Sequence, residues 1–106
     1  MKIKICKTVL SQTMGLMFSR RKNLLFILEE PMYMDLHMLF VFFPVDALYL
    51  DKNMKIMEIK HMKPFRLLYK AKTKASYVLE LAELHKFRIG DKVVIKKNEI
   101  YKEKAC

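Results

Sequence analysis

Asp46 and Glu80 are the residues whose setting most invites chemistry. Asp46 lies in the run Val45–Leu50, on the strand face it would share with Leu48 and Leu50. Glu80 falls between Val78 and Ala82 on one face of a strand whose other face is Tyr77, Leu79 and Leu81. A carboxylate on an apolar face must be paired or neutralised, because a lone desolvated charge is expensive. A structural ion pair is the simpler use, with Arg66 or Arg20 as the partner of Asp46. If a fold brought Asp46 and Glu80 within about 5–9 Å, they would form a two-carboxylate acid/base site. Asp35 and His37 are two residues apart on one strand face with Tyr33. An aspartate beside a histidine orients the imidazole for proton transfer. The expected polar site is therefore His37, Asp46, Glu80 and Arg66.

Other chemistries lack their residues. Ser11, Ser19, Ser76 and Cys6 stand in no nucleophile motif. His37, His61 and His85 have no metal-ligand spacing, and no metal is expected. Gly15 and Gly90 are the only glycines, so no phosphate-cradling loop can be written and no cofactor is expected. Cys6 and Cys106 make neither a disulfide framework nor a zinc site.

Charge is the second signal. The net charge is +10, unevenly spread. Residues 1–22 carry +6, residues 23–51 carry −5 and residues 52–74 carry +7. A fold that joined the two basic blocks would present a positive face. Arg20, Arg21, Lys22, Lys63, Arg66, Lys70, Lys72 and Lys74 are its expected anion-binding members, interleaved with Phe65 and Tyr69. Such a face suits nucleic acid or another anionic partner, without base-specific readout, because no standard nucleic-acid motif is present. The competing reading leaves these lysines simply solvated.

These residues need elements to hold them. Residues 2–10 alternate lysine with Ile3, Ile5 and Val9, the period of a half-exposed strand. Ser11 is placed to cap a short helix through Phe18. Residues 24–28 read as an apolar strand, and 32–43 as a central strand broken by Pro44. Val45–Leu50 and residues 54–61 form a hairpin turned at 51–53. Residues 63–74 are a basic connection, 77–81 a strand, 82–87 a short helix, 90–91 a turn and 92–96 a last strand. The expected fold is α+β: one β-rich domain over 1–96, a bent and mostly antiparallel sheet or partly open barrel with two short helices. A frayed polar tail is expected over 97–106. The opening MKIKICKTVL has no apolar core of a signal peptide. The apolar stretch 36–45 is far shorter than the ~20 residues of a membrane helix. A cytoplasmic protein with no membrane contact is expected.

Five segments together carry a resemblance: GLMF (15–18), LLFIL (24–28), FPVDALYLD (43–51), YVLEL (77–81) and GDKV (90–93). In this order and spacing the chain resembles domain-of-unknown-function family 192. The family's common form has a Trp-Met-Lys-Asn-Thr-like segment before its Pro-x-Asp. Here residues 37–42 read HMLFVF, and only Met38 matches. The departure is similar to the archaeal branch, with its Lys-Pro-aromatic-Arg motif at Lys63, Pro64, Phe65 and Arg66. The resemblance implies a single β-rich domain and no particular reaction. Two functions follow from the residues. One is a non-enzymatic binding module using a basic face. The other is a small-molecule-binding protein or small enzyme with a polar cleft around Asp46, His37 and Glu80. A convergent pocket separates the second from the first.

Overall fold

Runs such as Val45–Leu50, apolar on both faces, belong inside a sheet covered on both sides. The computed structural model describes residues 2–6, 23–34, 43–64, 69–97 and 99–102, and shows that arrangement. Strands β1 (Lys4–Cys6), β2 (Leu24–Met32), β3 (Val45–Leu50), β4 (Ile56–Met62) and β5 (Ala75–Leu81) form one sheet. Its order is β1-β2-β5-β3-β4, so it is open, with β5 at the centre. β1 runs parallel to β2, and the other pairs are antiparallel. Strands β6 (Val93–Lys96) and β7 (Glu99–Lys102) make a separate hairpin.

Alternation along the strands divides the core in two. Leu24, Phe26, Val45, Ala47, Tyr49 and Val78 bury one face, together with Phe43, Met62 and Tyr69. Leu25, Leu48, Leu50, Leu79 and Leu81 bury the other, closed by Ile3, Val93 and Ile100. The second face is thus roofed by the β6–β7 hairpin.

The β3–β4 turn is built on Asp51. Its carboxylate accepts the backbone N–H groups of Asn53 (2.8 Å) and Lys55 (3.0 Å), a side chain imitating a backbone turn. The tip is then tied to the segment before β6. Gly90 N–H donates to Ile56 O (2.8 Å), Ile56 N–H to Asp91 O (2.9 Å) and Val93 N–H to Met54 O (2.9 Å). Gly90 sits at φ +95°, which a glycine adopts without steric cost.

Several expectations need correction. Residues 82–87 are not helical. Six residues are too few to be helical without strong packing, and side chains capture the amides instead. Asn23 Oδ1 accepts Ala82 N–H (2.9 Å), and His85 Nδ1 accepts Phe87 N–H (3.1 Å). The tail expected to fray from Lys97 contains β7, because Ile100, 2% exposed, is drawn into the second core. Of the central strand expected over 32–43, Met32 ends β2 and residues 33–34 lie outside any strand. Residues 35–42 and the helix expected at 11–18 lie outside the described residues. Among the described residues there is no helix, and so none long and apolar enough to cross a membrane.

Candidate functional site

Asp46 is held by two histidines. It opens β3 and pairs in register with His61 on β4 and Leu81 on β5. His61 Nδ1 lies 2.5 Å from Asp46 Oδ1. His85 Nε2, from the irregular segment after β5, lies 2.6 Å from Asp46 Oδ2. The three side chains differ in access: His85 is 7% exposed, Asp46 26% and His61 64%. One ring is buried, one faces water, and the carboxylate bridges them.

Hydrogen-bond accounting fixes the tautomers. An ionised carboxylate only accepts, so each facing nitrogen carries a hydrogen. His85 Nδ1 accepts the N–H of Phe87, which leaves its ring hydrogen on Nε2, aimed at Asp46. His61 donates from Nδ1, which leaves Nε2 as its outward nitrogen. A carboxylate behind Nδ1 and an open Nε2 in front is the arrangement that lets an imidazole exchange a proton with a ligand or water. His85 Nε2 is spoken for by its hydrogen, and among the described residues no group of three or more donors is disposed to hold an ion.

The cluster borders an open cleft of about 440 Å³. Pro44, Leu81 and Leu84 supply its apolar wall, and Asp46, His61 and Glu83 its polar groups. Among the described residues no Lys or Arg lines it. Leu84 is almost fully exposed at the rim.

Glu80 does not join this site. Its register partners are Leu24 and Ala47, whereas Asp46 pairs with Leu81. Neighbouring residues on a strand point to opposite faces, so Glu80 and Asp46 lie on opposite sides of the sheet. Burial among apolar neighbours raises the Glu80 pKa from 4.5 to about 7. Among the described residues the partners of Asp46 are the imidazoles of His61 and His85. The arginines expected as its partner, Arg66 and Arg20, lie outside the described residues, as do His37, Arg21 and Lys22. Lys63, Lys70, Lys72 and Lys74 are all exposed. The two histidines that matter, His61 and His85, carry no ligand spacing. His61 ended the expected hairpin partner of the Asp46 strand, but the register that brings it opposite Asp46 depends on a bulge that the sequence does not show. His85 had no signal.

A second carboxylate organises the other face. Glu58 is 8% exposed and faces the core that contains Tyr49, its register partner. It accepts the hydroxyl of Tyr69, the hydroxyl of Thr73 (2.9 Å), and the backbone N–H groups of Lys72 and Thr73 (both 3.2 Å). These bonds fasten residues 69–73, before β5, onto the sheet.

The fold and site define a small open-sheet β domain with a histidine–aspartate–histidine cluster at one end of its sheet. The chain belongs to the DUF192 family, described as Uncharacterized ACR, whose model matches residues 1–95. The family is one of uncharacterised function. The UPF0127 protein PH1112 of Pyrococcus horikoshii is 32% identical over 98 residues, covering 86% of this chain and 84% of that protein. The UPF0127 protein TK1120 of Thermococcus kodakarensis is 32% identical over 83 residues, and the match spans about half (52%) of its length. Two crystal structures share the fold. A protein of unknown function from Novosphingobium aromaticivorans has a TM-score of 0.69 at 21% identity, covering 76% of this chain and 61% of that one. A putative transcription regulator from Sinorhizobium meliloti has a TM-score of 0.70 at 22% identity, covering 76% and 67%.

Proposed function

We propose that the cleft beside Asp46 binds a small neutral or cationic molecule and that His61 exchanges a proton with it. The observation that carries this reading is one carboxylate gripped by a buried and an exposed imidazole. A structural role is served by His85 alone. An ion pair made by an exposed histidine adds little stability, typically about 0–1 kcal/mol. What the second contact provides is alignment, with the outward Nε2 of His61 held in one direction. His85 acts as a positioning residue, holding Asp46 while Asp46 holds His61.

The lining supports the ligand class. Asp46 and Glu83 repel an anion, and among the described residues no Lys or Arg in the lining offsets them. Pro44, Leu81 and Leu84 favour a ligand with an apolar part. The test is histidine side-chain NMR during titration with matched neutral, cationic and anionic fragments. Neutral or cationic fragments should move the His61 ring resonances and the Leu84 methyls together. His61→Ala should abolish the response while leaving the fold intact. Response only to anions, or none from any set, would sink the reading.

A further inference from the structure

The lysine-rich residues 70–74, the end of the connection that leads into β5, lie far from that cleft. They enter β5 at Ala75, whereas the cleft lies past Leu81 at the strand's other end. A seven-residue strand separates them by about 20 Å. Glu58 and Tyr69, which anchor that end, belong to the core face opposite Asp46.

We propose that residues 69–74, with Lys60 and Tyr33, form a docking surface for single-stranded nucleic acid. The first observation is preorganisation. Glu58 takes four hydrogen-bond donors from Tyr69, Lys72 and Thr73, so the backbone is fixed while Lys70, Lys72 and Lys74 point to solvent. A surface ordered before binding loses less freedom on binding. The second is the pairing of cations with rings. Lys60 Nζ lies 5.6 Å from the Tyr69 ring centre, and Lys74 Nζ 5.8 Å from that of Tyr33. Tyr33 is 55% exposed, an aromatic ring left at the surface beside an ammonium group. Charge complementarity selects a polyanion, and the exposed ring selects one whose bases are free to stack. A duplex hides those base faces. The four lysines would contact phosphates and Tyr33 one base, with no sequence preference.

The test is fluorescence polarisation of labelled single-stranded and duplex oligonucleotides on the full chain, from about 50 to about 200 mM salt. Single strands should bind more tightly than duplex, with log K falling by about 0.7 per log unit of salt for each phosphate neutralised. Reversing Lys70, Lys72 and Lys74 to Glu should remove roughly two units of that slope. Tyr33→Ala should weaken single-strand binding by about tenfold or more and leave duplex binding unchanged. Reversing Lys55, Lys86 and Lys96, an equal change in charge elsewhere, should do much less. Because all six lysines are exposed, neither triple variant should melt below the parent, which circular dichroism checks. Absence of single-strand binding at the lowest salt would overturn the proposal. So would equal loss from the two triple variants, which would make the effect one of net charge. Equal affinity for an acidic peptide would also overturn it, by showing a surface for polyanions in general.

Discussion

Asp46 accepts a hydrogen bond on each oxygen, from His61 and from His85. Asparagine keeps one acceptor and turns an amide N–H₂ toward a ring N–H. Asp46→Asn should therefore cost about 1–3 kcal/mol, read as a lower urea midpoint. His61→Ala, at an exposed position, should cost under about 1 kcal/mol yet remove the fragment response. An equal loss of stability in both variants would mean that His61 is structural. Glu80 has a different signature. Its folded pKa is raised from 4.5 to about 7, so between those values the folded chain holds a proton that the unfolded chain releases. Stability contributed by the protonated form is complete below pH 4.5 and is lost as pH rises through about 7. The loss is on the order of 3 kcal/mol. Glu80→Gln should remove it, and the difference in unfolding free energy between the two chains from pH 4 to 8 isolates it. A pH-independent difference would refute the raised pKa. At this scale, the sequence made plain that Asp46 needed a partner, because a carboxylate on the Leu48–Leu50 face is costly. It did not show which partner, since that depends on register and on a distant loop.

Register is decided by an irregularity in β4. Leu50 pairs with Ile56, but Tyr49 pairs with Glu58, so β4 carries one extra residue there. Without it the ladder would bring Lys60 opposite Asp46. With it, His61 arrives on the Asp46 face and Glu58 on the opposite one. One bulge thus supplies His61 to one face and, to the other, Glu58, which holds Tyr69, Lys72 and Thr73. The hairpin itself was legible from alternation and from Asp51. The bulge was not, because Met57 and Glu58 do not announce it. The β7 strand was missed for a related reason: among polar and charged neighbours, Ile100 is the β7 residue buried in the second core, beside Val93 of β6. Ile100→Ala should cost about 2–5 kcal/mol, as for other buried isoleucines. A urea midpoint unchanged by that substitution would return residues 99–102 to the status of a loose tail. Glu58→Gln retains the side chain's size but replaces one acceptor with a donor. Hydrogen exchange at Lys72 and Thr73 should then accelerate, while β3 and β5 amides stay protected.

Among the described residues, charge is arranged so that its repulsions are weakly answered. The chain has 21 Lys and Arg against 11 Asp and Glu. Asp46, Asp51 and Glu58 spend their oxygens on imidazoles, backbone amides and hydroxyls rather than on lysine side chains. Meanwhile Lys70, Lys72 and Lys74 stand exposed within five residues of one another. Like charges at such spacing repel over distances that salt can screen. Raising monovalent salt from about 0.01 to about 0.1 M shortens the Debye length from about 30 to about 10 Å. The melting midpoint should therefore rise over that range, by a few degrees for each kcal/mol of repulsion relieved. The Lys70, Lys72 and Lys74 reversal should reduce the rise, because it removes the densest part of the repulsion. A midpoint that falls with salt would mean that attractive pairs dominate the charge balance, and the lysines would then be compensated rather than free to meet a polyanion. The sign also separates folding from binding. The same salt that steadies the free chain should release it from a single strand, so a complex that loosens while the protein becomes harder to melt is losing phosphate contacts and not its fold.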